Sequence, residues 1–259
     1  MTAEKFINVA SASGGEQGFL FAASENPIAS VILFPGAHGV LNLNGTTIND
    51  GEQNFLVRTR AKYLAQNFCT ALIDTPSYLE KMDAPHRMSE KHGQDIMAVV
   101  QWLKAKTKKP VWLVGTSMGT FSAANGAIRL GSEISGIALT SSITRASDNN
   151  ETGTNKTGTV VVSHPNGIID MDLRRITIPV LVMSHKDDGC NLSPAADCDK
   201  LAHAFKGTMR VETKIHTGGD QEPQTGPCGP LSPHGFLGIE DEAVNTITNF
   251  MTDNLWSPF

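Results

Sequence analysis

The chain has 259 residues, of which 40% are hydrophobic and 18% are charged, and its formal net charge is −5. A chain of this size and composition can bury a sizeable core, which argues against global disorder and favours one large α/β domain or two small ones. The acidic balance, without a long basic stripe, argues against nucleic-acid binding.

The sequence also predicts that the protein does not span a membrane. No apolar run approaches the length needed to cross a bilayer. The first residues lack the apolar centre of a secretion signal. Two locations are consistent with this pattern: the cytoplasm, or the periplasm or exterior after removal of a leader.

Short apolar runs alternate along the chain with runs of helical periodicity. The pattern predicts these elements in chain order: strands at residues 19–23 and 29–34, a helix at 54–65, a strand at 68–74, a helix at 95–103, a strand at 111–114, a helix at 122–130, a strand at 134–140, a small hairpin at 159–162 and 167–171, a strand at 179–183, a helix at 194–205, a strand at 209–215 and a helix at 240–254. Such alternation predicts an α/β fold with a mostly parallel central sheet and helices on both faces.

One segment interrupts the alternation. Residues 142–178 begin with a polar loop and continue into the expected hairpin, inside what we expect to be a single domain of residues 1–259. Sites in parallel sheets form beyond the carboxyl ends of the strands. The interruption is therefore a candidate cap insertion over such a site.

The strongest local signal is the pentapeptide Gly115-Thr116-Ser117-Met118-Gly119. It follows a predicted strand and precedes a predicted helix, the context in which the pattern Gly-x-Ser-x-Gly forms a nucleophile elbow. Gly115 and Gly119 leave room for strand and helix to approach. A serine hydroxyl is a poor nucleophile without a base, so Ser117 needs partners elsewhere in the chain.

Acidic and histidine candidates follow Ser117 along the chain. Asp187 and Asp188 follow the predicted strand at residues 179–183 after a short turn at 184–186, and His234 precedes the C-terminal helix. His216, at the end of the strand before it, is the competing histidine. His185 lies beside the acid. The remaining histidines considered are assigned to polar or helical surface runs: His86, His92 and His203.

Together, Ser117, Asp188 and His234, in this order, resemble the α/β-hydrolase superfamily over most of the chain. The resemblance implies the α/β-hydrolase fold and a serine-hydrolase triad of these three residues, with Asp187 as the alternative acid. The segments at residues 51–60 and 228–236 are similar to segments of uncharacterised, often exported bacterial hydrolases. The resemblance implies no particular substrate.

The same resemblance implies an oxyanion hole of two backbone amides. One amide is that of Met118, directly after the serine. The other is that of Ala37, because the loop after the strand at residues 29–34 is similar to the family's His-Gly-x loop, with Pro35 in the place of the histidine. Gly36 and His38 are then candidate pocket residues.

The four cysteines give a separate expectation. Cys69, in an apolar strand-like run, is predicted to be a buried free thiol. If the candidate acid and histidine are hydrogen-bonded, their loops are neighbours, and a disulfide between Cys190 and Cys228 is geometrically reasonable. Pairing of Cys190 with Cys198 is the alternative, and a reducing compartment would keep these residues as thiols.

The sequence therefore predicts a serine hydrolase that cleaves a small-molecule carboxylic ester through an acyl-enzyme, without a cofactor. An amidase or peptidase uses the same machinery and is the close alternative. A binding protein that keeps the fold without the activity is a further one. A metal-dependent hydrolase is not expected, because no clustered set of metal ligands stands out in the sequence. The pattern says nothing about the oligomeric state.

Overall fold

The computed structural model describes residues 2–146, 164–208, 210–220 and 222–255. The strands within these ranges are β1 (Lys5–Ala10), β2 (Glu16–Ala22), β3 (Ala29–Phe34), β4 (Phe68–Ile73), β5 (Val111–Thr116), β6 (Gly136–Thr140), β7 (Val180–His185) and β8 (Val211–His216). They form one sheet in the order β1-β2-β4-β3-β5-β6-β7-β8. The pairs β1–β2 and β2–β4 are antiparallel, and the pairs from β4 to β8 are parallel. The prediction of a mostly parallel sheet is confirmed.

Helices cover both faces of this sheet. They are α1 (Phe55–Arg58), α2 (Arg60–Ala65), α3 (Ala84–Met88), α4 (Glu90–Thr107), α5 (Gly119–Leu130), α6 (Cys198–Ala202) and α7 (Glu240–Asp253). Side chains alternate along β3: Ile32 and Phe34 join the core formed with α4 and α5, whereas Val31 and Leu33 join the core formed with α2 and α7. A strand buried on both sides explains why its sequence is a continuous apolar run.

Several predicted boundaries differ from the structure. The helix expected at residues 54–65 is divided at Thr59, which lies between α1 and α2 and whose hydroxyl donates to the Phe55 carbonyl at 2.6 Å. The helix expected at 95–103 is longer because Ser89 caps its start by accepting from the His92 N–H. The edge strand β1 was not predicted, since its half-exposed residues give no apolar run.

The candidate cap is described only in part. Residues 147–163, and with them the first arm of the expected hairpin, lie outside the described residues. The expected second arm is wrong: Gly167–Asp170 forms a turn of 3₁₀-helix. Gly167 has a φ of +56°, and an added Cβ there would lie 2.1 Å from the Ile143 carbonyl oxygen. This tight turn buries Ile168, so its apolar signal reflects burial rather than strand formation.

Candidate active site

Ser117 lies at the sharp turn between β5 and α5. Its φ is +52°, in the left-handed region that a serine rarely adopts, and its N–H donates to the Thr140 carbonyl at 2.9 Å. An added Cβ at Gly115 would lie 2.4 Å from the Gly119 carbonyl oxygen, and one at Gly119 would lie 2.0 Å from the Phe34 carbonyl oxygen. Only glycine fits at these two positions, so the glycines permit the turn that presents the serine.

Asp188 and His234 are hydrogen-bonded beyond the carboxyl ends of β7 and β8. His234 Nδ1 lies 2.9 Å from Asp188 Oδ2, and the two side chains are 5% and 0% exposed. Asp188 also accepts from the Cys190 N–H at 2.9 Å and from the Ser193 hydroxyl at 3.1 Å. Three donors hold the carboxylate in one orientation, and the carboxylate in turn orients the imidazole. Ser193 was not identified from the sequence.

The alternative acid and histidine lie elsewhere. The Asp187 side chain is 48% exposed, and its carboxylate is 4.0 Å from His185 Nδ1. His216 ends β8, and its Nδ1 is 3.0 Å from a carboxylate oxygen of Glu242. The ring of His185 contacts the Asp187 N–H and the Gly218 carbonyl. None of these side chains joins the buried carboxylate–imidazole pair.

Ser117 and His234 line the same cavity, which has a volume of about 640 Å³. The second ring nitrogen of His234, Nε2, is buried and has no hydrogen-bond partner among the residues that the structure describes. The described residues therefore show no hydrogen bond between Ser117 and this nitrogen; what the structure shows is that the two side chains share one cavity.

The loop after β3 passes directly beside the serine. An added Cβ at Gly36 would lie 3.0 Å from Ser117 Cβ, and the loop closes as a turn through a bond from the Gly39 N–H to the Gly36 carbonyl. Ala37, within this turn, has a φ of +48°. In the described part of the chain, neither the Ala37 nor the Met118 amide donates a backbone hydrogen bond. Of these two residues, Ala37 lines the cavity.

The candidate pocket residue His38 also lines the cavity. Burial, and then the nearby cations of Lys81 and Arg87, lower the pKa of its imidazole, which is therefore neutral at pH 7. Beyond it, the cavity wall is anchored by Asp74 at the end of β4, which accepts from the Leu41 and Leu43 amides at 2.8 and 2.9 Å. The buried carboxylate fixes the positions of these two backbone amides in an irregular loop.

Arg87 holds the loop after β3 from the side away from solvent. Its side chain is fully buried, and Nη2 donates to the Pro35 and Ala37 carbonyls at 3.2 and 3.3 Å while Nη1 donates to the Ser122 hydroxyl at 2.8 Å. Burial lowers the pKa of the guanidinium to about 9, which leaves it cationic at neutral pH. One rigid fork that binds two carbonyls fixes the peptide groups around Ala37. No sequence signal marked this residue.

A disulfide joins the loops that carry the acid and the histidine. Cys190 and Cys228 are bonded, with their Cα atoms 4.5 Å apart, and Cys69 and Cys198 are buried free cysteines. Of the two pairings that the sequence left open, the structure has the one between Cys190 and Cys228. The bond closes a sequence separation of 38 residues, and Cys228 itself lines the cavity.

Replacing Cys190 and Cys228 together by serine is expected to lower the free energy of unfolding by about 2–4 kcal/mol, because a long closed loop is released in the unfolded chain. Urea unfolding of the wild type and the double variant measures this loss. Dithiothreitol should lower the melting temperature of the wild type and leave that of the double variant unchanged. A wild type that is insensitive to reductant would contradict the prediction.

Comparison with known proteins gives a consistent result for the fold. No family model matches the chain, and no curated protein sequence matches it significantly. A solved esterase of Pyrococcus furiosus aligns over 98% of this chain and 92% of its own, with a TM-score of 0.70 at 13% identity. Est1E of Butyrivibrio proteoclasticus aligns over 98% and 100%, with a TM-score of 0.67 at 13% identity. A lidless α/β serine hydrolase of Xanthomonas campestris aligns over 100% and 98%, with a TM-score of 0.61 at 12% identity.

The chain has the α/β-hydrolase fold. Within this α/β-hydrolase fold, the candidate nucleophile, acid and histidine follow β5, β7 and β8, where the carboxyl ends of parallel strands meet. The cavity is lined by the loop after β3, residues 49–55 and the segment around Cys228 and His234. In the part of the chain that the structure describes, no helix is both long enough and apolar enough to cross a bilayer.

Proposed function

We propose that this protein is a serine hydrolase that cleaves carboxylic esters of small molecules through an acyl-enzyme. One observation carries the proposal. The buried pair of Asp188 and His234 leaves Nε2 without a hydrogen-bond partner among the described residues, and His234 lines a cavity that Ser117 also lines. The solved esterases and serine hydrolases with the same fold support ester hydrolysis as the reaction class.

In the acylation step, Ser117 Oγ attacks the ester carbonyl carbon while His234 Nε2 takes the hydroxyl proton. Asp188 stabilises the imidazolium that forms, without accepting the proton itself. The carbonyl oxygen becomes an oxyanion that accepts from the Ala37 and Met118 amides. Collapse of this intermediate breaks the bond to the alcohol, which leaves with the proton that His234 returns to it.

In the deacylation step, water replaces the alcohol. His234 Nε2 takes a proton from the water, the resulting hydroxide attacks the acyl carbon, and the same two amides hold the second oxyanion. Ser117 then leaves as the alcohol group and recovers its proton from the imidazolium. The acid product carries the oxygen of the water.

The cavity volume of about 640 Å³ lies within the range of small-molecule sites. We therefore propose small esters as substrates. Residues 142–178 stay a proposed cap within one domain; the described residues of this segment do not line the cavity. Amide hydrolysis by the same residues, and ligand binding without turnover, are the outcomes that a test must separate from ester hydrolysis.

The test combines a covalent label with a substrate panel. A fluorophosphonate should label the chain once, at Ser117, as mapped by mass spectrometry, and p-nitrophenyl esters of increasing acyl length should be turned over before labelling and not after it. Labelling without turnover of esters, but with turnover of anilides, would redirect the proposal to an amidase. Absence of both labelling and turnover would support a binding protein and overturn the proposal.

Arg87 offers a sharper prediction about the oxyanion hole. Arg87→Met leaves the Pro35 and Ala37 carbonyls without their donors, so the Ala37 peptide is no longer fixed. We expect kcat for p-nitrophenyl acetate to fall about 10²-fold with little change in KM, the size of effect expected from misplacing one oxyanion donor.

Arg60→Met is the matched control, because Arg60 forms an ion pair with Glu4 and does not line the cavity. It should keep kcat within about two-fold, as expected for a partly exposed ion pair outside the cavity. Arg87→Lys keeps the charge but loses the fork and should be intermediate. A wild-type kcat in folded Arg87→Met would show that the guanidinium does not position the loop.

A further inference from the structure

A second group of reactive side chains lies behind Arg87, away from the cavity. It consists of His86 on α3 and of His92 and Asp95, three residues apart on α4. One ligand atom from each lies within 4.8 Å of those of the other two. His92 and Asp95 are fully buried and His86 is half-buried. None of the three lines the cavity that contains Ser117.

Two ring nitrogens in this group are buried without a hydrogen-bond partner among the described residues. They are His92 Nδ1 and His86 Nε2. A buried polar atom left unpaired costs roughly 1–3 kcal/mol, so two in one cluster need a physical reason. Nitrogens of two imidazoles beside a carboxylate are the donor set that binds a transition-metal ion.

Further side chains orient the three candidate ligands. The Ser122 hydroxyl lies 2.9 Å from His92 Nε2, which leaves Nδ1 as the nitrogen without a partner. Asp95 accepts from the Ser13 hydroxyl at 2.6 Å and from the Tyr78 hydroxyl. Outer hydrogen bonds of this kind fix the orientation of ligands in metal sites.

We propose that His86, His92 and Asp95 bind one divalent transition-metal ion, with Zn²⁺ or Co²⁺ as the chemical class. Zn–N bonds of about 2.0–2.1 Å require ligand atoms roughly 3.4 Å apart in a tetrahedral site. The ligand atoms lie within 4.8 Å of one another, so binding requires them to approach by up to about 1.4 Å. Three protein ligands leave at least one coordination position for water. The proposal is independent of the hydrolase proposal.

The charges around the group limit the affinity. Arg87 and Lys91 are the cations that face it, and Asp83 is the only further carboxylate that acts on its histidines in the described ranges. A metal ion here would join α4 to α3, the helix that carries Arg87 next to His86. We therefore expect a site of moderate affinity that stabilises the segment carrying Arg87.

The test uses untagged full-length protein stripped with a chelator and titrated with Co²⁺. Wild type should bind one Co²⁺ per chain, with visible absorption bands that Zn²⁺ abolishes by displacement, and Zn²⁺ should raise its melting temperature. His86→Ala, which removes a half-buried ligand and should fold, is expected to weaken binding at least about ten-fold. His203→Ala removes an exposed histidine outside the group and is the matched control.

Asp95→Asn serves as a second variant, because it keeps the side-chain shape while removing the charge. It should also weaken Co²⁺ binding and abolish the Zn²⁺-dependent rise in melting temperature. Saturable 1:1 binding that is lost in His86→Ala and Asp95→Asn but kept in His203→Ala supports the site. Absence of stoichiometric binding by the wild type, or equal binding by all four proteins, would overturn it.

Discussion

Replacing Ser117 by alanine is expected to lower kcat for p-nitrophenyl acetate by about 10⁶-fold, the scale on which removal of a serine nucleophile acts. The alanine has no group that can form the acyl-enzyme. The oxyanion amides of Ala37 and Met118 stay in place, so a residual acceleration of about 10³–10⁴-fold over water should remain. The effect is measured by comparing ester turnover of Ser117→Ala and wild type at the same protein concentration. Fluorophosphonate labelling should be lost in the variant.

The fold should tolerate this substitution. Alanine keeps the Cβ beside which the loop after β3 passes, and the bond from the residue 117 N–H to the Thr140 carbonyl uses only the backbone. The φ of +52° strains alanine much as it strains serine. We expect melting temperatures within a few degrees of each other, and equal ester turnover by folded Ser117→Ala and wild type would reject the proposed nucleophile.

The sequence was informative where a function depends on local backbone geometry. Ser117 between two glycines, after an apolar strand and before a helix, specifies a turn that few other patterns produce. The order of Asp188 and His234 along the chain then becomes meaningful, because parallel strands bring their carboxyl ends to one edge. The local pattern and the sheet topology together were enough to predict that these two side chains lie close together, and in the structure they are hydrogen-bonded.

Residues that act through distant contacts gave no such signal. Arg87 and His92 belong to a polar helical stretch, and His92 was assigned to the surface, yet both are fully buried because α3 and α4 pack against α5. Ser193 binds Asp188 across a loop whose path no periodicity describes. Helical periodicity indicates which face of a helix is apolar, but it does not indicate which polar side chain another element covers.

The second large effect distinguishes between the two adjacent aspartates. Asp188→Asn is expected to lower kcat by about 10⁴-fold, whereas Asp187→Asn should keep it within a few-fold. Asp188 accepts from three donors at once, and its Oδ2 faces His234 Nδ1. An asparagine has a single acceptor oxygen, so its amide nitrogen can turn towards the imidazole. That nitrogen donates to Nδ1 and favours the tautomer with the proton on Nε2, which is unable to accept the proton of Ser117.

Both variants remove one negative charge at adjacent positions. A loss of kcat that both share is therefore due to the change in charge, and a difference between them is due to the contact of Asp188 with His234. The Asp187 carboxylate is half-exposed and lies 4.0 Å from His185, which makes its replacement an internal control. Fluorophosphonate labelling rates should fall in Asp188→Asn in parallel with kcat, because both reactions require the His234 Nε2 lone pair. If Asp187→Asn loses as much activity as Asp188→Asn, the acid of the proposed triad is misassigned. If Asp188→Asn folds and keeps wild-type kcat, His234 does not depend on a buried carboxylate for its tautomer.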